Sequence, residues 1–162
     1  MTDYGALIRA LSRAEVRFVI VGGVAAVLHG SARLTQDVDV VYARDAENLA
    51  RIAGALAPLH AYLRGAPAGL PFRLDQQTLA AGLNFTLTTS TGDIDLFGEI
   101  AGVGSYDALI PHTVEVELFG ARCKCLDLPT LIAAKIAAGR PKDLEAIAEL
   151  RALLDERPPD GE

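Results

Sequence analysis

The chain has 162 residues, 51% of them hydrophobic, which is enough for one globular domain over residues 1–157 followed by a frayed tail over residues 158–162. Its formal net charge of −6 argues against a broad nucleic-acid-binding face and leaves only local contacts with RNA open. The longest apolar run, residues 18–28, contains two glycines and is too short to cross a bilayer, so no membrane segment is predicted.

An amphipathic helix is predicted over residues 3–15, with its apolar residues on one side. Arg9, Arg13 and Arg17 recur every four residues and would form a basic stripe on the other side. Such a stripe is typical of a solvated helix face, and an RNA contact is the alternative interpretation.

A β-branched strand over residues 17–21 then meets Gly22 and Gly23, where a chain can turn sharply and bring bare backbone close to a ligand. A short helix is expected over residues 24–29. The glycine turn and the helix start offer amide groups of the kind that receive phosphates.

The second strand, residues 37–42, carries Asp37 and Asp39 on one face and Val38 and Val40 on the other. Two neighbouring carboxylates repel each other and raise each other's pKa, so a fold tolerates them best when they share a cation. Aspartate oxygens with an open, hydrated face suit magnesium. The residues alone therefore predict a metal and phosphate site at the end of a sheet, although a solvated strand end and a simple turn are the alternative.

Asp45 is expected to cap a third helix, which Pro58 ends, and residues 64–72 are expected to form a loop. Residues 84–97 alternate as in a β-hairpin, with Asp93 and Asp95 on its open face. These two acids are the candidates for a carboxylate that would join the Asp-x-Asp pair.

The remaining elements follow in order: loops over residues 98–113, a hairpin over residues 114–126, a helix that begins at Pro129, and a last helix over residues 143–154. The second hairpin carries Cys123 and Cys125, whose spacing is awkward for a disulfide and which are too few for a zinc site. Free thiols are typical of a reducing compartment, so we expect a cytoplasmic protein.

The run Val21-Gly22-Gly23, thirteen residues, then Asp37-Val38-Asp39-Val40 resembles the signature of the polymerase-beta-like nucleotidyltransferase superfamily. Gly30, Ser31, Arg33 and Thr35 make it most similar to the AbiEii-type branch, which includes toxins of bacterial toxin–antitoxin pairs. The resemblance implies an α+β fold, with a small mixed β-sheet and helices packed on one side.

The resemblance also implies roles for individual residues. Asp37 and Asp39 would bind two Mg²⁺ ions together with a third carboxylate, for which Asp95 is the choice and Asp93 the fallback. The nucleotide triphosphate would contact a second set of residues: Gly22, Gly23, Ser31, Arg33, Lys135 and Arg140. Asp143 could orient Arg140 or cap the last helix.

The expected reaction is transfer of a nucleoside monophosphate from an NTP to an acceptor hydroxyl of an RNA end, a protein or a small molecule. Ala146 stands where relatives often place a second acid, and the larger toxins carry an extra helical C-terminal region beyond this pattern. Two alternatives therefore stay open: a non-catalytic antitoxin or partner-binding module on the same fold, and an antibiotic-type nucleotidyltransferase.

Overall fold

The computed structural model describes residues 2–157, so the predicted tail at 158–162 lies outside the described residues. Nine strands are present in this part of the chain: β1 Phe18–Val21, β2 Asp37–Tyr42, β3 Tyr62–Leu63, β4 Phe85–Thr89, β5 Gly92–Phe97, β6 Glu99–Ile100, β7 Gly104–Ser105, β8 Thr113–Leu118 and β9 Ala121–Leu126. Seven α-helices accompany them: α1 Tyr4–Arg13, α2 Gly22–Leu28, α3 Ala46–Leu56, α4 Gln76–Ala81, α5 Tyr106–Leu109, α6 Leu128–Ala138 and α7 Leu144–Asp155.

The main sheet is mixed, as expected, and its strand order is β3-β4-β5-β2-β1-β9-β8. Strand β2 pairs parallel with β5, and β1 pairs parallel with β9, while the other neighbours are antiparallel. Helices α1, α3 and α4 pack beside one another, and α2, α6 and α7 form a second contiguous group. The α+β fold class is confirmed.

Alternation over residues 37–40 of β2 and 93–97 of β5 separates the core from the open face of the sheet. Val38 and Val40 of β2, and Ile94 and Leu96 of β5, are at most 1% exposed. Because neighbouring residues of a strand point to opposite faces, the aspartates between them are directed away from this core. The predicted hairpin at 84–97 is confirmed, and the residues of its inner face are buried: Phe85, Leu87, Ile94 and Leu96.

Several local elements differ from the sequence prediction. Helix α2 begins at Gly22 instead of residue 24, so the glycine pair forms its first turn. The segment 98–113, predicted as loops, contains the short hairpin β6–β7 and helix α5, which are too short to show a hydrophobic period. Helix α1 ends at Arg13, and Arg17 pairs with Asp45, so the basic stripe does not continue to Arg17.

The two edges of the main sheet are formed by β3 and β8. Strand β3 has only two residues. Strand β8 is largely open to solvent and carries Glu115 and Glu117. A short edge and a charged edge are the forms that sheets commonly present to solvent.

Both cysteines are free and buried, as expected. Burial raises the pKa of Cys125 to about 12, so its thiol stays protonated at neutral pH. None of the helices between residues 2 and 157 is long and apolar enough to cross a bilayer.

Asn48 is a buried polar residue that ties α3 to two strands. It is 0% exposed, its Oδ1 accepts a hydrogen bond from the Arg17 amide at 2.7 Å, and its Nδ2 donates to the carbonyl of Ala43 at 2.7 Å. The side chain therefore satisfies backbone groups that lead into β1 and out of β2, which fixes these strands against the helix.

We expect Asn48→Ala to lower the free energy of unfolding by about 2–4 kcal/mol, because buried backbone groups lose their partners. Gln76→Ala is the matched control: its side chain makes one exposed hydrogen bond to Ala46, and its loss should cost less than about 1 kcal/mol. Urea denaturation of the two variants measures both values, and equal losses would contradict this role for Asn48.

Candidate active site

The parallel pairing of β2 with β5 brings four aspartates together on the open face of the sheet. Asp37 lies opposite Asp93, and Asp39 lies opposite Asp95. One carboxylate oxygen from each of Asp37, Asp39 and Asp95 lies within 4.8 Å of the other two. The structure thus places Asp95 with the Asp-x-Asp pair, while Asp93, although it lies opposite Asp37, is not part of this cluster.

Asp39 has the most unusual environment of these acids. Burial, with the charges of Asp37 and Asp95 close by, raises the pKa of Asp39 to about 8. Its Oδ1 is buried and has no hydrogen-bond partner among residues 2–157. Burial also raises the pKa of Asp95, although the nearby Arg64 opposes this shift.

These features fit a divalent cation. The three carboxylates supply hard oxygen donors at a spacing that one or two ions can bridge, and magnesium prefers such donors. A cation at this point would give the orphaned Asp39 Oδ1 a partner and would offset the repulsion that raises the Asp39 pKa. Asp37, Asp39 and Asp95 are the residues that could hold it.

Positions 22 and 23 require glycine, because the backbone at each position lies directly against a side chain of another segment. Gly22 has a φ of +64°, and a Cβ at this position would overlap the carboxylate of Asp39. A Cβ on Gly23 would overlap the side chain of Thr35, which precedes β2. The glycine pair therefore lets the start of α2 pack directly against the acidic strand.

Ser31 and Arg33 lie beside the last helix. The Ser31 hydroxyl donates to Glu149 Oε1 at 2.7 Å, and this bond lowers the pKa of Glu149. Arg33 pairs with Glu145 at 3.4 Å and with Glu149 at 3.5 Å. Both side chains thus connect the segment before β2 to α7.

Lys135 and Arg140 converge on one buried acid. Asp143 is 6% exposed, its Oδ2 accepts from Arg140 Nε at 2.7 Å, and its Oδ1 lies 3.9 Å from Lys135 Nζ. Asp143 makes no side-chain capping bond to α7, so of the two predicted roles the structure supports the orientation of Arg140.

A cavity of about 540 Å³ connects the acidic cluster with Lys135 and Arg140. Gly22, the three clustered aspartates, Lys135 and Arg140 all line it. An adjoining cavity of about 360 Å³ is lined by Gly23, Ser31, Arg33 and Lys135. Lys135 therefore lines both cavities, and all the predicted site residues except the fallback acid Asp93 line one or the other.

Arg64 was not among the predicted site residues, because it falls in the loop predicted at 64–72. Its Nη2 donates to Asp95 Oδ1 at 2.7 Å, and its Nε and Nη1 lie 3.3 Å from Asp93 Oδ2 and 3.6 Å from Asp37 Oδ2. No motif surrounds Arg64 in the sequence. Only the long-range pairing of β3 with β4 brings it near the acids.

Known proteins share both the sequence pattern and the fold of this chain. The family model of the AbiEii nucleotidyl transferase toxins of type IV toxin–antitoxin systems matches residues 6–145. The fold is similar to that of a provisionally assigned nucleotidyltransferase from Thermotoga maritima, with 19% sequence identity, a TM-score of 0.58 and 97% of each chain covered. At that identity the likeness concerns the fold alone. No curated protein matches the chain in sequence.

The raised pKa of Asp39 predicts how stability depends on pH. Folding makes Asp39 take up a proton between its ordinary value of 3.8 and about 8, so the free energy of unfolding falls as the pH rises through this window. With a chelator present, Asp39→Asn should be more stable than the parent at pH 8 by about 1–3 kcal/mol, and less different near pH 4. Denaturant titrations across this range measure the difference; parallel profiles would contradict the assigned pKa.

The packing of Gly22 on Asp39 gives a second prediction. Gly22→Ala should weaken Mn²⁺ binding about tenfold or more, because its methyl group displaces the Asp39 carboxylate. Gly120→Ala is the matched control, since Gly120 has a φ of +77° but nothing within 4 Å of a Cβ. Both variants carry backbone strain of about 1–2 kcal/mol, and only Gly22→Ala should lose metal affinity in an electron paramagnetic resonance titration.

Proposed function

Since the chain belongs to the AbiEii family of nucleotidyl transferase toxins, we propose that it transfers a nucleoside monophosphate from an NTP to an acceptor hydroxyl. The acceptor oxygen attacks the α-phosphorus, the bond from that phosphorus to the bridging oxygen breaks, and pyrophosphate and the hydroxyl proton leave. Family membership establishes the general activity, nucleotidyl transfer. The metal, the triphosphate donor and the acceptor belong to the proposal.

One observation supports the proposal above the others: three carboxylates converge within 4.8 Å beside a glycine-led helix start. We assign Asp37, Asp39 and Asp95 to two Mg²⁺ ions. When bound, such ions stabilise the attacking and leaving oxygens of an in-line displacement. The buried Oδ1 of Asp39, which has no hydrogen-bond partner between residues 2 and 157, supports this assignment, because a fold seldom leaves a carboxylate oxygen in that state without a ligand.

The donor phosphates are assigned to the basic side chains and glycine amides that line the two cavities. Lys135 supplies an ammonium group, which acts on phosphate as a point charge, and Arg140 is held in place by Asp143. The amides of Gly22 and Gly23 would face the same phosphates. Ser31 and Arg33 remain predicted phosphate contacts, and each would have to leave its bond to Glu149 to make one.

A type IV toxin–antitoxin family implies an antitoxin as partner, and nucleotidyl transfer implies a nucleotide as substrate. The acceptor is the open part of the proposal: an RNA end, a protein or a small molecule would each supply a hydroxyl. A cytoplasmic location stays a prediction that rests on the free thiols.

The test is to incubate the protein with each α-labelled NTP, Mg²⁺ and total cell extract. We expect the label to enter one class of product, and the identity of that product names the acceptor. Label in a small soluble product would favour an antibiotic-type enzyme. No incorporation from any nucleotide would contradict the proposal and favour the partner-binding alternative.

Site variants show whether this transfer depends on the acidic cluster. We expect Asp37→Asn and Asp39→Asn each to reduce label incorporation by about a hundredfold or more, because each removes a carboxylate assigned to the metal. Asp155→Asn, an exposed acid at the end of α7, should transfer label as the parent does. Full transfer by Asp39→Asn would refute the site assignment.

A further inference from the structure

Arg64 is fixed by the sheet in line with the acids. Its amide donates to the carbonyl of Thr86 at 3.0 Å and so extends the pairing of β3 with β4. Thr86 lies opposite Asp95, and Asp95 lies opposite Asp39. Arg64, directly after β3, therefore continues a row formed by Thr86, Asp95 and Asp39, and its side chain reaches Asp95 in this row.

Two of the contacts that hold the guanidinium group, those with Leu87 and Asp93, lie outside the three clustered carboxylates. Nη2 donates to the carbonyl of Leu87 at 2.7 Å as well as to Asp95 Oδ1 at 2.7 Å, and Nε lies 3.3 Å from Asp93 Oδ2. The contacts with Leu87 and Asp93 remain whether or not Asp95 binds a metal. The one with Leu87 is a hydrogen bond, whereas the one with Asp93 is electrostatic, since Nε makes no hydrogen bond among residues 2–157. The side chain is only 28% exposed, so its position is well confined.

We propose that Arg64 is a positioning residue for the reaction: anchored by Asp93 and Leu87, it fixes the orientation of Asp95 so that this carboxylate meets Asp37 and Asp39. The inference rests on the proposed function. It also separates the roles of the two candidate acids on β5, because Asp95 is the member of the metal cluster and Asp93 is the anchor of the arginine that orients it.

If Arg64 orients Asp95, its removal should change the cation affinity in the direction opposite to the one that electrostatics alone predicts. Removing a positive charge near three carboxylates should strengthen cation binding if charge alone mattered. If Arg64 orients Asp95, its removal should weaken binding, because partners of metal ligands typically contribute about 10–100-fold to affinity.

The experiment measures Mn²⁺ affinity by electron paramagnetic resonance for the parent, Arg64→Gln and Arg64→Lys. We expect Arg64→Gln to bind about tenfold more weakly. Arg64→Lys should also be weakened, since an ammonium group restores the charge but not the planar Nη2 group that donates to both Leu87 and Asp95. Arg51→Gln, which removes another partly buried ion-paired arginine, on α3, is the matched control and should bind as the parent does.

A double-mutant cycle shows whether Arg64 acts through Asp95. In an Asp95→Asn background, Arg64→Gln should no longer weaken Mn²⁺ binding, a result that a purely structural role would not give. Unchanged or tighter binding by Arg64→Gln alone would overturn the inference while leaving the proposed function standing. A parent protein that bound no Mn²⁺ would overturn both, so the two failures are distinguishable.

Discussion

The site depends on the parallel pairing of β2 with β5. That pairing aligns two Asp-x-Asp sequences residue by residue, and so it sets negative charges side by side in a partly buried place. The arrangement is electrostatically unfavourable by itself, as the raised pKa of Asp39 shows. The alternate residues of the same strands offset this cost, because they are buried in the apolar core and cannot leave it without exposing that surface.

Among the described residues, the guanidinium group of Arg64 partly balances the negative charge of the four aspartates. Arg64 contacts three of the four aspartates and leaves Asp39, the most buried of them, without a basic partner in direct contact among the described residues. Of the four aspartates, Asp39 therefore has the least compensated negative charge. The glycine turn packs against this carboxylate, which brings the start of α2 and the acidic strand together on one cavity wall.

Local pattern predicted much of this arrangement. Alternation of charged and apolar residues placed Asp37 with Asp39 on one open face and Asp93 with Asp95 on another. The expectation that one acid of the second pair joins the first, with Asp95 as the choice, came from the resemblance to the nucleotidyltransferases. Arg64 was out of reach, because β3 has two residues and its pairing with β4 depends on contacts distant in sequence. The bond from Ser31 to Glu149 was hidden for the same reason, since it joins residues 118 positions apart.

The edges of the sheet limit how another chain can attach. An incoming strand would find two residues of backbone at β3 and a glutamate-bearing, solvent-facing strand at β8. Backbone docking by β-augmentation is therefore disfavoured on both flanks. If a partner protein binds directly to these two flanks, side-chain contacts would have to hold it in place of strand pairing.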